Sequence, residues 1–514
     1  MELEKFIASG YTISNDGVYS GEKCVCRVPI VPTAILQNMD SGIEKVELTF
    51  RKGGRWKKVV AARSVTASKN AILKLADSGV EVNSENAALM VKYIAACIGE
   101  HMNEIPTHDS KSVMGWVDGK FMPYDADIAF DGAEQFGYLF NAIRKRGSLD
   151  EWVEGVAPLR KVLALRLTMA ASFASPLIEV IGENPFVFHL WGGTGTGKSV
   201  ALLVAMSIWG DPAFGKLTRT MNMTANSMLS TAAFLNNLPF AGDELQTIKS
   251  RWGNYDNLIM QITEGIDRGR MTYDKLNETR SWKCSFIFSG EEPCIKAASG
   301  GGAKNRVIEV ECDGKVVEQG NLAANFVKQH YGVAGPWFLE NLDRDLVREL
   351  YEDHFEELLS TGTTDKQAGA GALLLTADDI ASQLLWPDEQ DLRAEDIARF
   401  LSSSEEVDVA ERAYQFICDI VAENVTNFHS DARVSWGRFD GPYVYINRSV
   451  LDRLLTDAGY DLGAALSKWE YKGYIVRYNG KALRHMKRIN GVPTSCIKLL
   501  LPPDEDGTQE EMEY

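Results

Sequence analysis

Paired cysteines are missing from this chain. The eight cysteines are Cys24, Cys26, Cys97, Cys284, Cys294, Cys312, Cys418 and Cys496, with no CxxC among them. Cys24 and Cys26 are the only close pair, and no second cluster completes a zinc site. Free thiols of a reducing compartment are therefore expected. Long hydrophobic runs are missing too. The best candidate, residues 162–178, is broken by Arg166, Thr168, Ser172, Ser175 and Pro176, short of the roughly 20 apolar residues a membrane span needs. The first ten residues show no basic stretch followed by an apolar one, so no leader is expected. These absences predict a cytoplasmic protein that does not enter a membrane. Basic residues are in deficit, 54 Lys and Arg against 71 Asp and Glu, for a net charge of −17. That excludes a uniformly basic nucleic-acid coat but leaves room for a local basic surface. No internal repeat is visible.

What is present is ordinary globular composition, 45% apolar and 24% charged, over 514 residues, enough for several domains with sizeable cores. Residues 1–110 read as a small mixed α+β domain, with a hairpin around Gly53-Gly54 and helical stretches near 69–77 and 84–100, the second capped by Ser84. Residues 111–180 read as a hairpin around Asp118-Gly119 and a long helical lead-in over 156–173. Residues 181–315 alternate strand, loop and helix, the pattern of a parallel-sheet α/β domain. Residues 316–402 read as a helical lid, 408–501 as a separate small domain, and 502–514 as a disordered acidic tail.

The chemistry is concentrated in the α/β segment. The apolar run Phe186–Trp191 leads directly into Gly192-Gly193-Thr194-Gly195-Thr196-Gly197-Lys198-Ser199, and a helical pattern follows. This is GxxxxGK[ST] in the strand-to-helix setting that its mechanism needs. Glycines let backbone N–H groups converge on a phosphate at a helix N-terminus. Lys198 is expected to reach the β- and γ-phosphates of ATP, and the Ser199 hydroxyl to ligate Mg2+. A second strand is expected to end at Asp243-Glu244. There Asp243 would hold the Mg2+ water shell and Glu244 would polarise the attacking water. A third strand over 285–288 ends at Ser289, a candidate holder of that water. Arg306 stands just before a strand over 307–310, where it could reach a neighbouring subunit's γ-phosphate. Between Glu244 and Ser285, residues 266–280 read as a basic hairpin with its tip near Lys275 to Asn277. In a ring ATPase such a hairpin projects into the pore, where Lys275 could hold a nucleic-acid phosphate.

The runs FHLWGGTGTGKSVALLVAMSIWGDP, TMNMTANSM, FAGDELQ, EGIDRGRM, FIFSGEEP and GGGAKNRVIEV, taken in that order, resemble the domain of unknown function numbered 927. This family belongs to phages, plasmids and integrative elements and includes cassette-chromosome helicases similar to replicative MCM rings. The resemblance covers roughly residues 10–390. It implies an AAA+-like P-loop ATPase core, ring assembly as a homo-oligomer, expected to be a hexamer, and unwinding or translocation of single-stranded or forked DNA. Lys198, Ser199, Asp243, Glu244, Ser289 and Arg306 match the family's phosphate loop, acidic pair, first sensor and finger. Asn222 and Asn226 match its Asn-x-Thr-Ala-Asn stretch, without an assigned role. Lys366 is the nearest match to a second sensor, although a lysine replaces the usual arginine.

Residues 408–501 read as three helices (409–424, 449–458, 462–472) and a hairpin of 474–478 and 495–499 turning at Asn479-Gly480, which resembles a winged helix. From Lys468 to Lys498 the chain carries Lys468, Lys472, Arg477, Lys481, Arg484, Lys487, Arg488 and Lys498 against Glu470 alone. With Trp469, Tyr471, Tyr474 and Tyr478 interleaved, this stretch suits DNA. Two functions follow as expectations: an ATP-driven DNA helicase or translocase of a mobile element, or an ATPase switch that remodels a protein partner. Retention of Lys198, Asp243 and Glu244 argues against an inactive scaffold.

Overall fold

The computed structural model describes residues 3–248, 255–267, 271–272, 275–276, 279–296, 299–429, 432–479 and 482–502. Buried apolar side chains gather in three clusters, within residues 8–105, 114–401 and 410–499. The first lies under a five-stranded sheet that includes the long strands Ile30–Asn38, Glu44–Lys52 and Arg55–Ala62. The helix over Ala87–Glu100 covers it. That helix starts later than the sequence suggests. Asn83 Oδ1 accepts the N–H groups of Glu85 and Asn86, which makes residues 83–86 a turn and leaves Asn86, not Ser84, at the helix start.

The expected single helix over 156–173 is two. One covers Leu149–Arg160, opened by a capping box between Ser148 and Glu151. The other, α1, covers Leu163–Ile181. The break falls where the burial pattern changes. The first helix buries one stripe, Trp152, Val156 and Arg160, whereas α1 buries every residue from Leu167 to Ile178. An apolar helix buried all round belongs in a core. α1 is long and apolar enough to cross a membrane, but here it packs inside the largest cluster.

Five strands form the central sheet: β1 Val187–Trp191, β2 Thr218–Thr220, β3 Phe240–Asp243, β4 Phe286–Gly290 and β5 Val307–Glu311. Their order is β2-β3-β4-β1-β5, with every pairing parallel. The central strands β1, β3 and β4 are buried on both faces along nearly their whole length, as in parallel sheets covered on both sides. Helix α2, Lys198–Ser207, follows β1, and α3, Ala225–Leu235, lies between β2 and β3. All five strands run the same way, so their C-terminal ends share one edge of the sheet.

Beyond β5 the chain is helical, and the longest helix is α4, Asp365–Leu385. Thr364 caps it, directly after the break at residues 361–364. α4 is fastened to the lead-in by buried charge. Arg160 Nη2 donates to Asp378 Oδ1 at 3.0 Å, Arg166 Nε to Asp378 Oδ2 at 2.8 Å, and Arg160 Nε to Glu389 Oε2 at 2.9 Å.

The C-terminal cluster holds α5 Val409–Glu423, α6 Arg448–Asp457 and α7 Leu462–Lys472. They pack on a four-stranded sheet of β6 Gly437–Asp440, β7 Tyr443–Asn447, β8 Arg484–Ile489 and β9 Val492–Leu500. The three helices lie where the sequence places them, but the hairpin does not. It is β8 and β9, with Ile489 opposite Val492. The two-residue turn is Asn490-Gly491, at φ 46° and 79°, the left-handed pair of the tightest hairpins. Residues 474–478 form no strand and touch β9 only through the bridge from Ile475 to Leu499.

Candidate functional site

The loop from β1 to α2 lies at the C-terminal edge of the sheet, and its shape follows from its glycines. Gly197 adopts φ 94°, and a Cβ there would sit 3.0 Å from the Val317 backbone nitrogen, so only glycine fits. The loop is tied to the segment after β5 by Val316 N–H to Thr196 O at 2.7 Å and Cys312 N–H to Trp191 O at 2.8 Å. Lys198, the first residue of α2, is buried and folds back over the loop. Its Nζ donates to Gly192 O at 2.8 Å, Gly193 O at 2.7 Å and Thr196 Oγ1 at 3.2 Å. An ammonium held by neutral carbonyls beside a helix N-terminus is free to exchange them for an anion.

The acidic pair meets this loop from β3. Ser199 Oγ donates to Asp243 Oδ1 at 3.0 Å, and Ser289 Oγ, from the adjacent end of β4, donates to the same oxygen. Ser199, Asp243 and Ser289, more than forty residues apart in sequence, are thus one hydrogen-bonded group. Glu244 is exposed and adopts φ 60°, a left-handed conformation rare for a residue with a side chain. That turn bends the chain out of β3 just as it reaches the cleft. The cleft has a volume of about 430 Å3 and is lined by Gly195, Gly197, Lys198, Ser199, Asp243 and Glu244 among others. Its size is that of a small-molecule site, and its donors, hydroxyls and carboxylates suit a nucleoside triphosphate with a divalent cation. Thr194 donates through Oγ1 to Glu291 Oε1 at 2.7 Å on the rim.

Arg306 lies elsewhere. It precedes β5, so it is at the opposite edge of the sheet, about 15 Å of strand from the phosphate loop. Its Nη1 donates to Gly302 O at 2.6 Å. Lys366, in the first turn of α4, is its neighbour. Burial and then the Arg306 charge lower the Lys366 pKa from its ordinary value. Neither residue lines the cleft.

The basic hairpin is present in outline, with Ile266 bridging Ser281 at its base. Met271 pairs with Leu276 and Thr272 with Lys275, so the chain reverses between Thr272 and Lys275. Lys275 therefore stands in the returning strand and not at the tip, and its side chain lies outside the described residues. Arg268 and Arg270 also lie outside them. Arg280 is committed elsewhere. It donates through Nε to Asp267 Oδ2 at 2.9 Å, and its other nitrogens reach Ser230 and Asn226 on α3. Asn226 thereby anchors the hairpin base at 3.0 Å, a role its sequence context did not disclose. Asn222 lies between β2 and α3.

The C-terminal basic set is also partly consumed by pairing. Lys472 Nζ is 2.8 Å from Asp408 Oδ2 and 2.7 Å from Glu411 Oε2. Arg477 pairs with Glu470, and Lys498 Nζ lies 3.0 Å from Asp440 Oδ2. Lys481 lies outside the described residues. Lys468 on α7 and Arg484 on β8 are exposed. Beside them stand Tyr471, 90% exposed, and Met486 and Arg488, which share the outer face of β8 with Arg484. The surface offered to a nucleic acid is therefore narrower than the sequence suggests.

His189, read from sequence as packing, has a more specific setting. It is fully buried on β1, and Nδ1 lies 3.0 Å from Glu309 Oε1 on β5. Cys294 Sγ completes a group of donor atoms within 4.8 Å of one another, the spacing of a possible metal site. Glu309 Oε1 already accepts the Cys294 N–H at 2.7 Å and the Ile295 N–H at 3.4 Å, and burial first of all raises the Cys294 thiol pKa well above its ordinary value. The group is thus a hydrogen-bonded carboxylate–histidine pair with a neutral thiol beside it.

Comparison with known proteins places this geometry. A family model described as "Domain of unknown function (DUF927)" matches residues 9–281, and one described as "Cch helix turn helix domain" matches residues 408–504. No curated protein matches the chain. Among solved structures, "SCCmec type IV Cch - active helicase" superposes with a TM-score of 0.73 at 18% identity, covering 96% of this chain and 98% of that one. The chain shares that mixed α/β fold and carries a helix-turn-helix domain at its C-terminal end. With more than half its length matched by the first model, this chain belongs to the DUF927 family.

Proposed function

We propose that the protein is an ATP-dependent DNA helicase or translocase of a mobile genetic element, working as a homo-oligomeric ring, a hexamer, in the cytoplasm. The observation that carries the reading is the convergence of Lys198, Ser199, Asp243, Glu244 and Ser289 on one cleft at the C-terminal edge of a parallel sheet, with Arg306 at the other edge. The strand order β2-β3-β4-β1-β5 supports an AAA+-like P-loop core. The likeness to a structure titled an active helicase and the helix-turn-helix match support DNA as the partner.

Each side chain has a definable task. Lys198 leaves the Gly192 and Gly193 carbonyls for the β- and γ-phosphates of ATP. Ser199 and Asp243 would hold Mg2+, which would supply charge neutralisation. Ser289 keeps Asp243 oriented. Glu244, turned out of β3, accepts a proton from the attacking water. Arg306, about a strand's length from its own cleft, serves the cleft of the adjacent subunit. Lys366 beside it acts from the same side. Lys275, on the hairpin, contacts the DNA strand in the pore, and Lys468 and Arg484 contact DNA at the rim.

The test is ATP hydrolysis by the purified protein with and without single-stranded DNA, beside Lys198→Ala and Lys275→Ala. Stimulation by DNA that Lys275→Ala abolishes while basal turnover survives supports the motor. Hydrolysis indifferent to DNA overturns it in favour of an ATPase that remodels a protein partner.

A further inference from the structure

The geometry points to Gln246 as a further catalytic residue of the cleft, with His189 and Glu309 as its positioning pair; this rests on the reading of the cleft as an ATP site. Gln246 follows Glu244 by two residues and lines the same cleft. Its Oε1 is enclosed and has no hydrogen-bond partner, and the same holds for His189 Nε2. Both atoms face one point above Gly290, the residue after Ser289. A methyl group on Gly290 would lie 2.8 Å from His189 Nε2 and 3.3 Å from Gln246 Oε1. Gly290, lacking a side chain, therefore leaves the space around which the imidazole and the carboxamide gather.

The protonation of this relay follows from Glu309. Burial raises the Glu309 pKa, but the hydrogen bond and charge of His189 and the Cys294 N–H outweigh it, and the net direction is downward. An ionised carboxylate only accepts, so the His189 Nδ1–H donates to Glu309. Nδ1 is thereby committed to Glu309, and Nε2 and Gln246 Oε1 are left facing the same point without a partner. Half a turn of the carboxamide would offer its NH2 to an unprotonated Nε2. Oε1 is then free for the cleft that Gln246 and Glu244 both line, where it accepts a hydrogen bond from the attacking water while Glu244 takes that water's other proton. A carboxamide so held aims the water at the γ-phosphate without a charge of its own. Two enclosed polar atoms with no partner cost stability. Their meeting next to the reacting group gives that cost a use.

The experiment compares wild type, Gln246→Ala, Gly290→Ala and the double variant, measuring steady-state ATP hydrolysis and the affinity for a fluorescent ADP analogue. Gln246→Ala is expected to lower kcat about 100-fold while ADP affinity stays within about twofold. Gly290→Ala, whose methyl group parts the two side chains, is expected to do the same. The double variant is expected to be no worse than either single one, because both remove one placement. Hydrolysis by Gln246→Ala at the wild-type rate overturns the proposal and leaves the ATP site standing. So does a loss confined to ADP affinity, or additive losses in the double variant. A wild-type protein that neither binds the analogue nor hydrolyses ATP removes both readings together.

Discussion

Lys472 tests how charge is used in the C-terminal domain. Sequence alone makes it a DNA contact, whereas the structure makes it a clamp. Its ammonium joins the end of α7 to the first turn of α5 through Asp408 at 2.8 Å and Glu411 at 2.7 Å. Asp408 also caps α5 by accepting the Ala410 and Glu411 N–H groups. Glu411 accepts the Tyr474 hydroxyl at 2.7 Å, and Tyr474 stacks on Tyr414 with ring centroids 4.0 Å apart. Two partly exposed ion pairs are each worth about 0.5 kcal/mol after solvent screening, so Lys472→Ala is expected to cost about 1 kcal/mol. For a domain of this size that lowers the melting temperature by about 4–8 °C. Burial opposes the charge on all three groups, but the mutual hydrogen bonds prevail, raising Lys472 and lowering Asp408 and Glu411. The lysine contribution is present below its ordinary pKa and fades as pH rises through the raised one. The carboxylate contributions are present above their ordinary values and fade as pH falls through the lowered ones. The destabilisation by Lys472→Ala is therefore expected in full from about pH 5 to about pH 10 and to shrink in stronger acid. DNA binding, titrated by anisotropy at several salt concentrations, separates the roles. Lys468→Ala is expected to flatten the slope of log affinity against log salt by about 1 with little change in melting. Lys472→Ala is expected to leave that slope alone. A flattened slope with unchanged melting for Lys472→Ala refutes the clamp.

Three further outcomes follow from the core. Ser199→Ala removes the hydroxyl that meets Asp243 at 3.0 Å, so the Mg2+ dependence of ATP affinity is expected to vanish in an equilibrium binding titration, with ADP binding without metal retained. Arg306→Ala is expected to bind ATP like wild type and hydrolyse it about 1,000-fold more slowly, and mixing it with Lys198→Ala subunits is expected to restore part of the activity. Arg160→Leu removes the donor to Asp378 Oδ1 and leaves Asp378 held by Arg166 alone, and is expected to cost about 1–3 kcal/mol, read as a lower urea midpoint.

Much of the cleft at the glycine-rich loop was legible because its pattern is local. A phosphate loop needs glycines and a lysine at fixed spacing between a strand and a helix, and residues 187–207 place them there. Ser289 and the acidic pair could be placed together from sequence because parallel strands deliver their C-terminal ends to one edge, but that Ser289 donates to Asp243 appears only in the fold. β2 escaped because three residues with one buried carry no periodicity. The break after Arg160 escaped because both flanking helices share a helical pattern, and only the change from one buried stripe to complete burial divides them. The wing was misplaced by the presence of two Asn-Gly pairs. Asn479 and Asn490 both adopt positive φ, at 48° and 46°, so turn chemistry was satisfied twice. What decides between them is the flanking sequence: residues 484–489 and 492–500 alternate and pair, whereas 474–478 leads out of the left-handed end of α7 at Gly473.

Partners supplied by distant segments are what a sequence window hides. Eight cations against one acid between Lys468 and Lys498 reads as an unpaired basic stretch only if no acid arrives from outside. Folding brings Asp408 and Glu411 from the start of α5 to Lys472, and Asp440 from β6 to Lys498. Cations on the outer face of α7 and β8, Lys468, Arg484 and Arg488, keep their exposure. The same logic explains His189. A lone histidine on an apolar strand carries no signal, since its partner Glu309 is 120 residues away in sequence. The charge count therefore overstated the DNA surface, while the histidine's isolation understated the cleft. Both errors have one cause: electrostatic roles are set by which charges the fold brings together, and that depends on the topology of the sheet and not on the local run of residues.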